Sequence, residues 1–324
     1  MSVRPLLRRL LIVGAMLCSL AAAAQTWPSR PVRVVVPFPP GGAVDFYARV
    51  VQQPLGEALG QTVVIDNKVG ASGMIGAENV AKSPPDGYSL LLGNIATLAI
   101  NPGIYAKMPY DVAKDFTPIM HTVDVHYVLV VHPSVPVNTV AELVAYAKAN
   151  PGKLAYGSAG SGSLPHLATE LFKSATGTDL LHVPYKGGGP MVTDLLGGSV
   201  QVVIGDQANL MPHVKSGKLR ALAVASPRRS PIYPELPTIA EAGVPGFQAV
   251  AWNGLVGPAG LPPEIVKRVH DAFAKTMAMP EIRDKLRAGG LEPVADTPEE
   301  FNRFMRAEGA KWSKIAKDVG ARAE

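Results

Sequence analysis

Val32-Arg33-Val34-Val35-Val36-Pro37-Phe38-Pro39-Pro40-Gly41-Gly42-Ala43-Val44-Asp45 decides how the chain is read. Val32, Val34, Val35 and Val36 form a short β-branched run of the kind found in a strand buried on both faces. Pro37 to Gly42 end that run, and a helical pattern begins at Ala43. A strand therefore delivers the chain to a stiff turn, with two glycines where a helix opens. N–H groups at a helix start have no intrahelical acceptor, and without Cβ atoms nearby an anion can approach them. The segment predicts a carboxylate or similar anion held by main-chain atoms.

The same rhythm continues outward from this unit. Apolar patterning predicts strands over 32–36, 63–66, 90–92, 127–131, 155–157, 180–183, 202–204, 219–225 and 252–256. Helical periodicity lies between them at 43–59, 75–82, 140–150, 164–175, 191–196 and 211–215. Alternation of this sort is the βαβ pattern of parallel sheets covered by helices. Thr139 with Glu142, Thr238 with Glu241, and Thr297 with Glu300 each fit a capping box, the last with Pro298 at the first helical position. From Pro262 onward the pattern is helical. Phe301, Phe304, Met305, Trp312, Ile315 and Val319 make one apolar face, as expected of a helix that covers a finished sheet.

Residues 1–24 read as a secretory signal, with Arg4, Arg8 and Arg9, an apolar Leu10–Leu20 core, and Ala21 to Ala24 before a cleavage expected ahead of Gln25. Removing them leaves 300 residues and lowers the formal charge from +5 to +2, because the segment holds three Arg and no acid. A near-neutral chain argues against a nucleic-acid surface. The single cysteine, Cys18, leaves with the signal, which excludes disulfides, cysteine metal sites and a thiol nucleophile from the mature chain. The seven His show no metal-ligand spacing, so neither metal nor cofactor is expected. A chain of 300 residues buries ~75% of its unfolded surface without staples.

Two further runs join a strand to a helix. Tyr156 to His166 reads YGSAGSGSLPH and offers Ser158, Ser161 and Ser163 beside accessible glycine N–H groups, among them Gly160. It reads as an anion loop, and equally as a Gly/Ser loop with a capping serine. Val183 to Pro190 reads VPYKGGGP, where Gly187 and Gly188 allow close approach to a ligand and Tyr185 could wall a pocket or pack in the core. Lys186 is read as solvated. Gly70 to Gly76 lacks the spacing of a nucleotide loop and reads as a turn and helix start. No serine lies in Gly-x-Ser-x-Gly, so a hydrolase using Ser158 or Ser161 with His166 has no nucleophile elbow. Asp45 and Asp206 either cap helices or face a ligand, and beside an anion they must meet water, an ammonium group or a backbone donor.

The chain resembles a Bug-type extracytoplasmic solute receptor, the binding component of tripartite tricarboxylate transporters. The matching stretches include Trp27-Pro28-Ser29-Arg30-Pro31, Val36 to Gly42, Pro84-Pro85-Asp86-Gly87-Tyr88, His132-Pro133-Ser134, Tyr156 to Gly160, His182 to Gly187, Leu195-Leu196-Gly197-Gly198 and Pro237 to Gly243. They run in order over essentially the whole mature sequence. The resemblance implies an α/β, two-domain periplasmic binding protein fold (type II-like), with the ligand cleft between domains joined by two crossing strands. Residues 25–124 and 250–324 would form one domain and 125–249 the other. It places a carboxylate on Phe38, Pro39, Pro40, Gly41 and Gly42, with Asp45, Asn94 and Thr97 on the same side. The facing side would supply Ser158, Gly160, Ser161, Ser163, Tyr185, Gly187 and Gly188; His166 at the pocket edge and Asp206 at a strand end join the candidates from their own positions in the sequence. Phe46, His126-Tyr127 and Gly205 depart from the family pattern and are candidate specificity positions. The implied protein is a monomeric periplasmic receptor for a small organic acid, delivering it to tripartite tricarboxylate-type membrane subunits. A sensory module for a membrane kinase would share the same cleft.

Overall fold

The fold comes from a computed structural model that describes residues 27–230 and 232–322. The expected signal segment and its cleavage site lie outside the described residues. β1 (Val32–Val36), α1 (Ala43–Leu59), β2 (Val63–Asn67), α2 (Met74–Ala81) and β3 (Ser89–Asn94) open the chain. A π turn over Ala96–Ile100 runs into α3 (Asn101–Ile104), followed by the long β4 (Phe116–Val125). The middle of the chain contains β5 (Tyr127–Val131), α4 (Val140–Ala149), β6 (Ala155–Ser158), α5 (Leu164–Thr176) and β7 (Leu181–Pro184). Next come α6 (Gly188–Leu196), β8 (Val202–Asp206), α7 (Gln207–Lys215) and β9 (Arg220–Val224). β10 (Ala251–Pro258), α8 (Pro263–Met277), α9 (Pro280–Ala288), β11 (Leu291–Pro293) and α10 (Pro298–Asp318) complete it.

Two sheets result. One has the order β11-β4-β10-β3-β1-β2, the other β7-β6-β8-β5-β9. β1 lies parallel between β2 and β3, and β6 lies parallel between β7 and β8. Antiparallel strands complete each sheet: β10 between β3 and β4, and β5 between β8 and β9. The chain passes between the sheets twice. His126 alone separates β4 from β5 on the way out. On the return, Ala249 N–H donates to Ala225 O just before β10 begins.

β1 and α1 form where the sequence places them, for a simple reason. Every valine of β1 is almost wholly buried, so the apolar run is satisfied on both faces. α1 buries Val44, Tyr47, Ala48, Val51, Leu55 and Leu59 at helical spacing and ends at Gly60 in the left-handed region. Thr297 accepts from Glu300 N–H, and the Glu300 carboxylate reaches back to the Thr297 N–H, so α10 has its capping box. Phe301, Met305 and Trp312 of α10 are buried. Glu308 is buried with them, and its Oε2 accepts both the Trp252 and the Trp312 indole N–H at 3.2 and 2.7 Å. One carboxylate thus ties α10 to β10.

The structure adds to or shifts the sequence reading in three places. β4 and β11 were not predicted, because Pro118, His121, Thr122 and Asp124 interrupt any apolar run and the pairing with β10 is made by distant sequence. The Thr238–Glu241 box does form, with Glu241 N–H donating to Thr238 Oγ1 at 3.0 Å. It caps only a turn, since Gly243, Pro245 and Gly246 follow before a helix can propagate. The helical starts expected at 191 and 211 move back to Gly188 and Gln207, directly after their loops.

Gly254 sits in β10 where an added Cβ would lie 2.1 Å from the Phe301 ring. Gly254→Ala should therefore destabilise the protein by about 1–3 kcal/mol through overpacking. Urea unfolding would register this as a lower midpoint with an unchanged slope.

Candidate ligand-binding cleft

Parallel βα units send every strand end and every following helix start to one edge of their sheet. In the first lobe that edge carries the turn after β1, the Gly70–Gly73 loop after β2 and the Asn94–Thr97 segment after β3. In the second it carries the loops after β6, β7 and β8. A cavity of ≈ 340 Å³ lies between the edges. Asn94, Ile95 and Ala96 line it from one lobe, Ser163, Gly188 and Asp206 from the other, and Tyr127 and Ala251 from the two crossings. No Lys or Arg is among the lining residues.

Helix starts of the second lobe border this space, and α1 opens at the same edge of the first sheet without lining it. α1, α5 and α6 open on Gly42, Ser163 and Gly187, and none of the three receives a side-chain cap. The Ser163 hydroxyl donates to Gly160 O at 2.7 Å and leaves the α5 N–H groups alone. Away from the cavity, α4 and α10 are capped by Thr139 and Thr297, while α8 and α9 open on Pro262 and Met279 without a side-chain cap. Uncapped N–H groups with their helix dipoles suit an anion. α7 differs: Asp206 Oδ1 accepts the Ala208 N–H at 2.8 Å, and burial raises the Asp206 pKa.

Several expected ligand contacts prove to be supports instead. Asp45 is 2% exposed. Its Oδ2 accepts from Arg49 Nε at 2.8 Å and from the Gly41 N–H at 2.9 Å, and its Oδ1 accepts from Asn67 Nδ2 at 2.9 Å. Asn67 Nδ2 also donates to Phe38 O at 3.0 Å. The carboxylate pins both ends of the turn, and the Arg49 hydrogen bond chiefly pulls its pKa down to about 2. Gly41 needs its φ of 83° for this turn. Phe38, Pro39, Pro40, Gly41 and Gly42 do not line the cavity; Pro39 to Gly42 stand exposed at the same sheet edge. Thr97 is fully buried and exchanges hydrogen bonds with the Asn94 backbone.

The second lobe repeats the plan. Ser158 is fully buried, with Oγ 2.7 Å from His182 Nε2. His166 Nδ1 accepts the Gly162 N–H at 3.1 Å, so the ring holds the loop from behind. The two imidazoles stack at 4.1 Å, and Tyr156 lies 4.8 Å from His182. Burial, then the neighbouring His166, drops the His182 pKa to about 4; burial lowers that of His166 as well. Tyr185 donates to Asp194 at 2.8 Å, and burial foremost pushes its pKa up to about 12. Gly160 and Gly187 hold φ values of 125° and 106°, whereas Ser161 is exposed.

Of the departures from the family pattern, Tyr127 reaches the cavity, but Phe46 packs at Gly289 and His126 does not line it. Sequence reasoning missed Asn209, Met191 and Ala251 as lining residues. The Gly70–Gly76 segment is the turn and helix start expected of it, and its Ala71 and Ser72 take φ of 47° and 51° without being glycine. Nothing local in the sequence gives His182 a role; its register partner across the sheet is Tyr156, which puts it beneath the Ser158 loop. Among the described residues no cluster of three potential metal ligands occurs, and no helix is long and apolar enough to cross a membrane.

Two α/β lobes with strand ends facing one cleft make a solute-binding receptor of the periplasmic binding protein class. The family model described as the tripartite tricarboxylate transporter family receptor matches residues 47–321. The chain is 38% identical to Protein BugT of Bordetella pertussis strain Tohama I over 97% of its length and 98% of that protein. The solved R. palustris Rpa4515 with adipate superposes with a TM-score of 0.78 at 42% identity, covering 91% of this chain and 99% of that one. MatC (Rpa3494) from Rhodopseudomonas palustris with bound malate gives 0.74 at 31%, covering 89% and 99%. The chain belongs to the tripartite tricarboxylate transporter receptor family.

Two predictions test the supports. His182 binds its proton less readily folded than unfolded, so the unfolded chain takes up more protons between the ordinary value of 6.5 and about 4. Stability is full above that window and falls as pH drops through it. His182→Asn should flatten this part of the Tm–pH curve. Asp45→Ala removes the acceptor of the exposed Gly41 N–H and one of the two acceptors of the half-buried Asn67 amide, and should cost about 0.5–1.5 kcal/mol, read by chemical denaturation.

Proposed function

We propose that the chain captures a small organic carboxylate between lobes 25–124 plus 250–324 and 125–249, and hands it to a tripartite tricarboxylate-type membrane transporter. The periplasm is its proposed site of action, following export by residues 1–24. The observation that carries this reading is the convergence of uncapped helix starts on a space without lysine or arginine. Adipate and malate in the related structures are small carboxylic acids, each presenting a carboxylate of the kind these helix starts suit. The carboxylate is assigned to the N–H groups at the starts of α1, α5 and α6. Closure about His126 and residues 249–251 would bring the exposed Gly41-Gly42 turn onto it and strengthen every hydrogen bond by excluding water.

We assign no catalysis to the cleft. Ser158 is buried against His182, and His166 is occupied by a main-chain N–H, so neither forms an exposed nucleophile–base pair. Asp206 confronts the far end of the ligand. A hydroxyl, ammonium or protonated carboxyl group suits it better than a second carboxylate.

Adipate and malate, each against its neutral diamide, should separate in a thermal-shift titration. A bound acid at a hundredfold excess over its Kd adds about 2.7 kcal/mol, and the diamide adds nothing. Equal shifts from acid and diamide would overturn the anion assignment. A Cβ at Gly42 meets only Pro39 O at 3.4 Å, so in Gly42→Val the fold should hold while acid binding falls at least about tenfold, or about 1.4 kcal/mol. Asp206→Asn keeps a capping side chain on α7 and should tighten dianion binding by about the same factor. Calorimetry on both variants decides.

A further inference from the structure

Among the described residues that line the cleft, Asp206 is the one charged side chain. It is half-buried, and both of its hydrogen-bond partners are neutral. Oδ1 accepts the Ala208 N–H at 2.8 Å, and Oδ2 accepts from the Asn209 amide at 3.2 Å. Each carboxylate oxygen has two acceptor positions, so both oxygens keep capacity for a further donor. Burial, with no cation to offset it, raises the Asp206 pKa. Arg49 is paired with Asp45 at 2.8 Å and Lys186 is exposed, and neither lines the cavity. Tyr127 stands beside Asp206 as its register partner across β5 and β8, so the two side chains share one face of the sheet, and both line the cavity.

The donors lie elsewhere along the same edge. The uncapped starts of α5 and α6 follow β6 and β7. From the first lobe Asn94 adds one more: its Oδ1 accepts the Ala96 and Thr97 N–H groups at 3.1 and 3.2 Å, which leaves its amide nitrogen to donate. The sheet order is β7-β6-β8-β5-β9, and Asp206 ends β8. Strands lie about 4.8 Å apart, so Asp206 stands one spacing from the β6 loop and two from the β7 loop, roughly 5–10 Å. Much of the remaining wall is apolar, with Ile95 after β3, Leu164 on α5 and Val192 on α6.

On the reading that the uncapped starts hold a carboxylate, we infer that the ligand is a zwitterion, an acid whose far end is an ammonium group set against Asp206, with a short apolar chain between. Such a molecule is neutral overall and supplies the cation that Asp206 lacks. Its ammonium makes charge-assisted hydrogen bonds, the stronger kind, to the carboxylate. A second carboxylate at that end would meet a like charge in a partly desolvated space, which disfavours both ions. The cavity, ≈ 340 Å³, falls in the range of small-molecule sites.

Calorimetry with a series of one length separates the groups. The probe is 6-aminohexanoate. Hexanoate drops the ammonium, adipate replaces that end by a carboxylate, and hexylamine drops the carboxylate. The probe should bind at least about tenfold more tightly than each of the three. Asp206→Asn keeps a capping side chain on α7 and should erase the preference over hexanoate. Because that readout is a ratio of two ligands on one protein, a general loss of folded receptor does not move it. Adipate or hexanoate binding as tightly as the probe, or a preference that survives Asp206→Asn, would overturn the zwitterion and leave the carboxylate reading standing. Hexylamine matching the probe would remove the carboxylate reading itself, and the inference with it.

Discussion

Parallel pairing of β1 with β2 and β3, and of β6 with β7 and β8, governs everything that follows in this molecule. A parallel strand must be followed by a crossover, and the crossover begins at the strand's carboxyl end. Each lobe therefore gathers its helix starts along one edge. Two crossings, at His126 and at residues 249–251, set those edges face to face. The proposed anion site follows from where the chain must turn, and it requires no basic side chain. A receptor built this way can recognise a carboxylate without locking it into a deep charge pair that would slow release.

Such a site asks much of its loops. Main-chain donors recognise an anion only if the backbone is held still, because any slack is paid as lost alignment. In the first lobe a buried carboxylate does the holding: Asp45 binds Gly41 from one side and Asn67 from the other, and Asn67 reaches Phe38. In the second lobe two neutral imidazoles take that part, His182 against Ser158 and His166 against Gly162. The two lobes arrive at the same mechanical result with opposite chemistry. An acid stays ionised at the first turn because Arg49 and N–H groups surround it, and bases stay neutral at the second because burial makes their cations costly.

The legible part of the sequence was the part governed by local pattern. β1 is a continuous valine run, α1 has apolar residues at helical spacing, and α10 opens with a Thr-Pro-Glu-Glu start; each is read from neighbours within a few residues. What sequence could not give depends on partners far away. β4 is polar at His121, Thr122 and Asp124, yet it is held by β10 more than a hundred residues later. Asp45 is ambiguous until Asn67 is seen beside it, and His182 has no role until β7 lies next to β6. The glycine and serine loops could be located by their composition. Which of their atoms point at a ligand and which point at the scaffold could not, because that is settled by the side chains beneath them.

The hinge follows the same logic at a smaller scale. One residue, His126, separates the last residue of β4 from the first of β5, so the crossing has no slack in which to hide a side chain. Adjacent positions are forced to opposite sides. Tyr127 and Asp206 look into the cleft, and His126 and Gln207 look behind it. Gln207 also bonds its N–H to His126 O, joining the start of α7 to the crossing strand. A rotation that narrows the front must therefore change the distance between Ala208 and Gly290 at the back, where the lobes already meet at van der Waals range. Front and back are two faces of one short stretch of backbone, and that shortness couples them.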